Sequence, residues 1–173
     1  YAEQRRQCAI ESSPNGRGIR HRFPDPPGKS AYPAISSHSS FGCPEPCTFC
    51  NSPGLTERRY KMYPAEQLLD HIQEIMAKDP FHGLRFQDAN FGVSEKRTRA
   101  FSEGLLKRGI KLTWHATIEI KQMTQYSDST LDLMRDSGLY IVPTGVEAAS
   151  WEMQQAIGKR IKPGETLRAI ERL

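Results

Sequence analysis

Gly42-Cys43-Pro44-Glu45-Pro46-Cys47-Thr48-Phe49-Cys50 places three cysteines within eight residues, and the only other cysteine, Cys8, lies well upstream. Thiolates this close can hold one metal centre because a short loop wraps them around a common point, and Pro44 and Pro46 stiffen that loop by fixing φ. A structural zinc site takes four tetrahedral ligands, usually as two separated pairs, so here it would have to recruit Cys8, His38, His71 or His82. The spacing selects none of them. A bacterial ferredoxin run has its gaps in the other order and a fourth cysteine followed by proline, which this chain lacks. A [4Fe–4S] cluster held by three thiolates keeps one iron without a protein ligand, and that iron is open to a small molecule.

Outward from the loop the texture alternates between short β-rich runs and amphipathic helical windows, the pattern of a parallel βα array. A first strand is expected over Ala34 to Ser37, delivering the cysteine loop at its C-terminal end. Pro64 then opens a helix whose face is Leu68, Ile72, Ile75 and Met76. A second strand, Gly83 to Asp88, precedes a helix from the N-cap Ser94 to Arg108, stopped by Gly109. A third strand, Leu112 to Thr117, is followed by a helix over Ser129 to Ser137 and the stop Gly138. A fourth strand, Leu139 to Gly145, leads to a helix from Ser150 to Ile157 and a last one from near Pro163. Residues 1–33 have Pro14, Pro24, Pro26, Pro27 and Pro33 among glycines and no period of either kind, so they read as a linker or arm, with the core over 34–173.

The spacing Cys43-x3-Cys47-x2-Cys50, with aromatic Phe49 before the last cysteine, resembles the radical S-adenosylmethionine (SAM) family. Gly42 also matches the family's Ser-Arg-Gly-Cys lead-in, but the usual Arg is missing from Ser40-Phe41-Gly42-Cys43. The resemblance implies Cys43, Cys47 and Cys50 as cluster ligands and Phe49 packed near the adenine of SAM. In a parallel βα array reactive groups gather at the C-terminal strand ends. The second end, Phe86-Gln87-Asp88-Ala89-Asn90-Phe91, resembles a Phe-x-Asp-x-Asn-Phe stretch of cobalamin-dependent and related radical SAM enzymes. That implies Gln87 and Asp88 as acceptors for the methionine ammonium; alternatively Asp88 and Asn90 turn the chain and cap the next helix. At the third end, strand alternation puts Trp114 and Ala116 on one face and His115 and Thr117 on the other. His115 is a candidate general acid or substrate partner, with a structural histidine as the alternative. The fourth end, Gly145-Val146-Glu147-Ala148-Ala149-Ser150, resembles the family's Gly-(Val/Ile/Phe)-Glu-Ser-x-Ser, with Ala148 in place of the first serine. There Glu147 would accept from the ribose or methionine part of SAM, with a strand-end acid in water as the alternative, and Lys159 would pair with the SAM carboxylate, although the sequence does not choose between it and its neighbours Arg160 and Lys162.

The resemblance covers residues 34–173. It implies that a reduced [4Fe–4S] cluster gives an electron to SAM, that the 5′-deoxyadenosyl radical so formed takes a hydrogen from substrate, and that the outcome is methyl transfer or cyclisation on a small molecule. Cobalamin would enter only through a domain outside this chain. A flavodoxin- or ferredoxin-like electron donor is expected. Two other readings stay open: a radical SAM methylthiotransferase acting on RNA or protein, and a non-catalytic zinc or iron–sulfur module.

Composition bounds the rest. The chain has 173 residues, 37% hydrophobic and 25% charged, and a formal charge of +4, which describes one ordinary globular domain. Apolar runs fall far short of a membrane span, and YAEQRRQ has no apolar targeting region. Three crowded cysteines do not read as a disulfide framework, so a reducing cytoplasmic setting is expected. The patches Arg17, Arg20, Arg22 and Arg58, Arg59, Lys61 read as solvated faces rather than a nucleic-acid footprint. The family barrel commonly has six βα units and only four can be counted here. A partial TIM-like α/β barrel follows, with strand four's edge open and an inner apolar face short of cover, to be completed by the missing barrel half or a partner chain.

Overall fold

A computed structural model of the chain describes residues 33–172. The proposed arm over 1–33 and the candidate ligand Cys8 therefore lie essentially outside the described residues. Four short strands, β1 (Ala34–Ser37), β4 (Gly83–Phe86), β5 (Thr113–His115) and β6 (Leu139–Ile141), form one all-parallel sheet in sequence order. This is the succession of a partial βα barrel, and each crossover carries helix: α2 (Ala65–Lys78), α3 (Glu95–Lys107), then α4 (Ile120–Gln125) with α5 (Asp128–Asp136). The chain closes with α6 (Trp151–Ala156) and α7 (Glu165–Glu171).

Local chemistry accounts for the boundaries. Ser94 Oγ accepts from Arg97 N–H at 3.3 Å and starts α3. α2 buries Leu68, Leu69 and Ile72, α3 buries Phe101 and Leu105, and the two cross where Gly104 meets Leu69 so closely that a Cβ there would overlap the leucine. Under them Leu84, Phe86, Phe91, Phe101 and Trp114 make the core, with Phe86 stacked on Phe91 at 4.8 Å and Phe101 edge-on to Trp114 at 5.5 Å. No helix among the described residues is long and apolar enough to cross a membrane.

Three features depart from the sequence reading. An antiparallel pair, β2 (Ser40–Phe41) with β3 (Lys61–Met62), was not expected and forms the stem of the cysteine loop. A short helix α1 (Ser52–Thr56) follows the cysteines, and α4 precedes the expected α5; two-residue strands and helices of one or two turns carry too little periodicity to be seen. The uncovered side of the sheet is also not apolar. By register and alternation Leu84, Phe86 and Trp114 point to the helices, while Ser36, Arg85, Thr113 and His115 share the other face. Ala34 and Ile141 lie on that face by the same register, so it mixes polar and apolar groups instead of the apolar surface expected.

Candidate active site

The cysteine loop hangs between β2 and β3. Gly42 leaves β2 at φ +81°, and a Cβ there would lie 1.9 Å from Arg59 O, so the two ends of the loop close only around a glycine. At its far end Thr48 N–H donates to Ile157 O at 2.9 Å, and Gly158, at φ +74°, lets Pro46 O approach to 2.6 Å from where a Cβ would be. Gln122 Nε2–H donates to Glu45 at 3.3 Å. The loop is thus seated on the turn after α6 and on α4, two segments more than 70 residues downstream. Cys43 and Cys47 are half-buried and Cys50 is exposed, as is Phe49. Burial pushes the Cys43 and Cys47 thiols up, and Lys159 opposes that rise at Cys47.

Around that seat the ends of β5 and β6 converge on Lys159. Lys159, 5% exposed, donates from Nζ to Glu119 Oε2 at 2.7 Å and to Gly145 O at 2.9 Å, with Glu147 Oε1 at 3.8 Å. The Glu119 charge is felt at both Cys43 and Cys47. Glu119 is the group the sequence reading passed over. Its signal was there: apolar and polar residues alternate strictly from Leu112 to Ile120, and burial follows the same alternation, with Thr113, His115, Thr117 and Glu119 on one side of an extended run. Thr144 Oγ, buried at the fourth strand end, has no hydrogen-bond partner.

Glu147 sits at φ +63°, and Ala148 N–H donates to Val146 O at 2.7 Å, a three-residue turn of the strained left-handed kind. Gln154, almost fully buried, donates from Nε2 to Val146 O at 2.6 Å and to Ala148 O, the carbonyls on either side of Glu147. That bracket over-determines the strained residue and presents its half-exposed carboxylate at the site.

The other expected residues take different surroundings. Asp88, 4% exposed, accepts from Ser39 N–H at 2.7 Å, from Ser39 Oγ–H, and from Ser40 Oγ–H at 2.7 Å. Both oxygens are used on the stem of the cysteine loop. Gln87 points to the opposite side, where its Nε2–H donates to Ser36 Oγ at 3.2 Å. His115 lies on that side too; burial, then the neighbouring Arg85 charge, pushes its pKa down and keeps the ring neutral near pH 7. His82, offered as a zinc ligand by the sequence, precedes β4 at the end of the sheet opposite the cysteine loop.

The radical SAM superfamily is matched over residues 38–173. The chain belongs to that superfamily. It is 24% identical over 77% of its length to an uncharacterised methyltransferase of Pyrococcus horikoshii, of which it covers 28%. It is 26% identical over 76% of its length to the anaerobic magnesium-protoporphyrin IX monomethyl ester cyclase of Rubrivivax gelatinosus, of which it covers 23%. Among solved structures it resembles the cobalamin-dependent SAM radical enzyme OxsB, with aqua-cobalamin and SAM bound, at a TM-score of 0.68 and 20% identity over 81% of this chain and 22% of that one. That likeness bears on the fold, and it supports the partial barrel. The chain spans about a quarter of the length of the curated relatives it matches.

The residues of this radical SAM chain fit a cluster. The donor set is three soft thiols of one loop, whose charges are felt at one another, and thiolates suit iron–sulfur centres. Among the described residues no three His, Cys, Asp or Glu side chains close around a single ion. A Cβ at Gly145 would stand 2.5 Å from Glu147 Oε1 and 2.6 Å from Lys159 Nζ, so the glycine leaves room for both side chains.

Proposed function

We propose that residues 34–173 are the first four βα units of a radical SAM catalytic barrel, in which Cys43, Cys47 and Cys50 hold a [4Fe–4S] cluster, in an enzyme of methyl transfer or cyclisation on a small molecule. The observation that supports this is the seating of the cysteine loop against Ile157 and Gly158, with Cys43 and Cys47 within reach of the Glu119 charge and Cys47 within reach of Lys159. When bound, the cluster and SAM supply one-electron cleavage of the sulfonium carbon bond and the hydrogen abstraction that follows.

The chain's own residues bind and orient. Phe49, exposed on the loop, offers a face to the adenine. Gln87 and nearby backbone carbonyls accept from the methionine ammonium. Glu147 accepts from the ribose hydroxyls, its carboxylate held by Lys159 and by the strained turn. Asp88 and Lys159 already have their polar atoms bonded to protein groups, so they act chiefly as positioning residues, Asp88 on the loop stem and Lys159 between Glu119 and Glu147. The names of the relatives, a methyltransferase and a cyclase, favour this chemistry over the methylthiotransferase reading. Cobalamin would come from a domain outside these residues. The electron would come from a flavodoxin- or ferredoxin-like donor in a reducing cytoplasm.

The test is anaerobic reconstitution with iron and sulfide, then EPR of the reduced protein with and without SAM. A [4Fe–4S] signal that shifts on adding SAM is expected; Glu147→Gln should keep the iron and weaken SAM binding about tenfold, the loss of a charge-assisted hydrogen bond. A protein that takes up no cluster and holds one zinc would overturn the proposal.

A further inference from the structure

Arg97 is an internal cation of α3 that nothing in the site chemistry uses. It is 5% exposed, and its guanidinium reaches in three directions. Nε–H donates to Tyr63 O at 3.0 Å, Nη1–H to Phe91 O at 3.3 Å, and Nη2–H to Ser39 O at 3.2 Å and to Ser39 Oγ. The plane lies over the Phe91 ring at 4.5 Å. Tyr63 follows β3 and Ser39 precedes β2, so one side chain bonds to both stems of the cysteine loop. Phe91 belongs to the segment after β4 that also supplies Asp88 and Asn90.

Such a buried charge is costly unless paired, and burial pushes the Arg97 pKa down. Its counter-charge is Asp88, reached through a hydroxyl: Ser39 Oγ accepts from Arg97 and donates to Asp88 Oδ2. Asp88 also takes Ser39 N–H and Ser40 Oγ–H, and Tyr60 Oη–H donates to Asn90 O at 3.3 Å from the outgoing side. A planar fork is suited to this, because its donors leave in fixed directions and meet three carbonyls at once; an ammonium cannot reproduce that.

We propose that Arg97, through the relay to Ser39 and Asp88, is the positioning residue that clamps both stems of the cysteine loop and so fixes where the three thiols stand relative to Glu119, Lys159 and Glu147. Its importance for cofactor alignment rests on the proposed function; the clamp itself does not. Between the stems the loop meets the body through Thr48 on Ile157, Pro46 on Gly158, Glu45 on Gln122 and Tyr60 on Asn90. Freed stems would let it swing as a unit.

The experiment has two arms. In the metal-free protein, hydrogen exchange is followed by mass spectrometry for the wild type, Arg97→Lys and Ser39→Ala. Exchange over residues 41–62 is expected to rise about tenfold in both variants while amides of β4 and β5 keep their protection. Unchanged exchange over 41–62, or a rise spread evenly over the sheet, would overturn the clamp. Ser39→Ala retains the backbone bonds and decides the question if Arg97→Lys does not fold. In the reconstituted protein, Arg97→Lys is expected to keep its iron but lose the SAM-induced EPR shift that the wild type shows. A variant with the wild-type shift would overturn the alignment role, whereas a wild type that lacks cluster or shift would sink the proposed function and leave the exchange arm standing.

Discussion

At the scale of single residues, the proposed SAM contact and backbone strain meet at Glu147. A non-glycine residue at φ +63° in a three-residue turn costs about 1–3 kcal/mol, and the protein keeps it there with Gln154 donating to the carbonyls on both sides. The turn aims a carboxylate at Lys159. Replacing Glu147 by Gly and by Ala removes the carboxylate equally but treats the backbone differently. Denaturation midpoints should place Glu147→Gly about 1 kcal/mol above Glu147→Ala, since only glycine adopts this φ freely, and both should bind SAM weakly. Equal stabilities would mean that the turn relaxes on truncation. Neither the strain nor the bracket is legible in Gly145-Val146-Glu147-Ala148, because the sequence names the acid but not the conformation that presents it.

Among the elements, the joint between α3, α4 and the segment after β4 depends on Tyr126. Its buried hydroxyl donates to Gly92 O at 2.7 Å and lies 3.1 Å from Thr98 Oγ1, and Arg172 donates to Met123 O at 2.7 Å and to Tyr126 O, holding the C-terminal end of α4. Tyr126→Phe leaves Gly92 O without this donor and should cost about 1–2 kcal/mol in urea unfolding. Burial raises the Tyr126 pKa from 10.0 to about 12. The unfolded chain therefore loses this proton first as pH rises, so the stability tied to it is whole below pH 10 and drains away between 10 and about 12. The phenylalanine variant should lack that component of the alkaline slope; an identical slope would show that Tyr126 does not titrate with unfolding. The sequence reading placed α2 from its apolar spacing, α3 from its N-cap and glycine stop and α5 from its glycine stop, located α6 and α7 as well, and missed the short α1 and α4.

For the whole molecule, the sheet order β1-β4-β5-β6 leaves β1 and β6 each without a second neighbour among the described residues. Its inner face presents Ser36, Arg85, Thr113 and His115, which suits a barrel lumen. Two unpaired parallel edges invite pairing with other chains. Residues 33–172 alone should therefore associate as concentration rises, followed by sedimentation velocity, and the addition of further barrel strands should restore a monomer. A fragment that stays monomeric at high concentration would mean that its edges are protected by some other means.

What the sequence determined by itself was everything set by short-range covalent order. Three cysteines within eight residues stay together in any fold, an apolar spacing of three and four makes a helical face, and four such alternations make a parallel array. Tertiary structure alone decided the partners. Asp88 meets Ser39 across 49 positions, Arg97 meets it across 58, and Lys159 meets Glu119 across 40. Which acid faces the site and which one anchors the loop depends on those long-range encounters, because a buried charge is placed by the groups that satisfy it rather than by its neighbours in the chain.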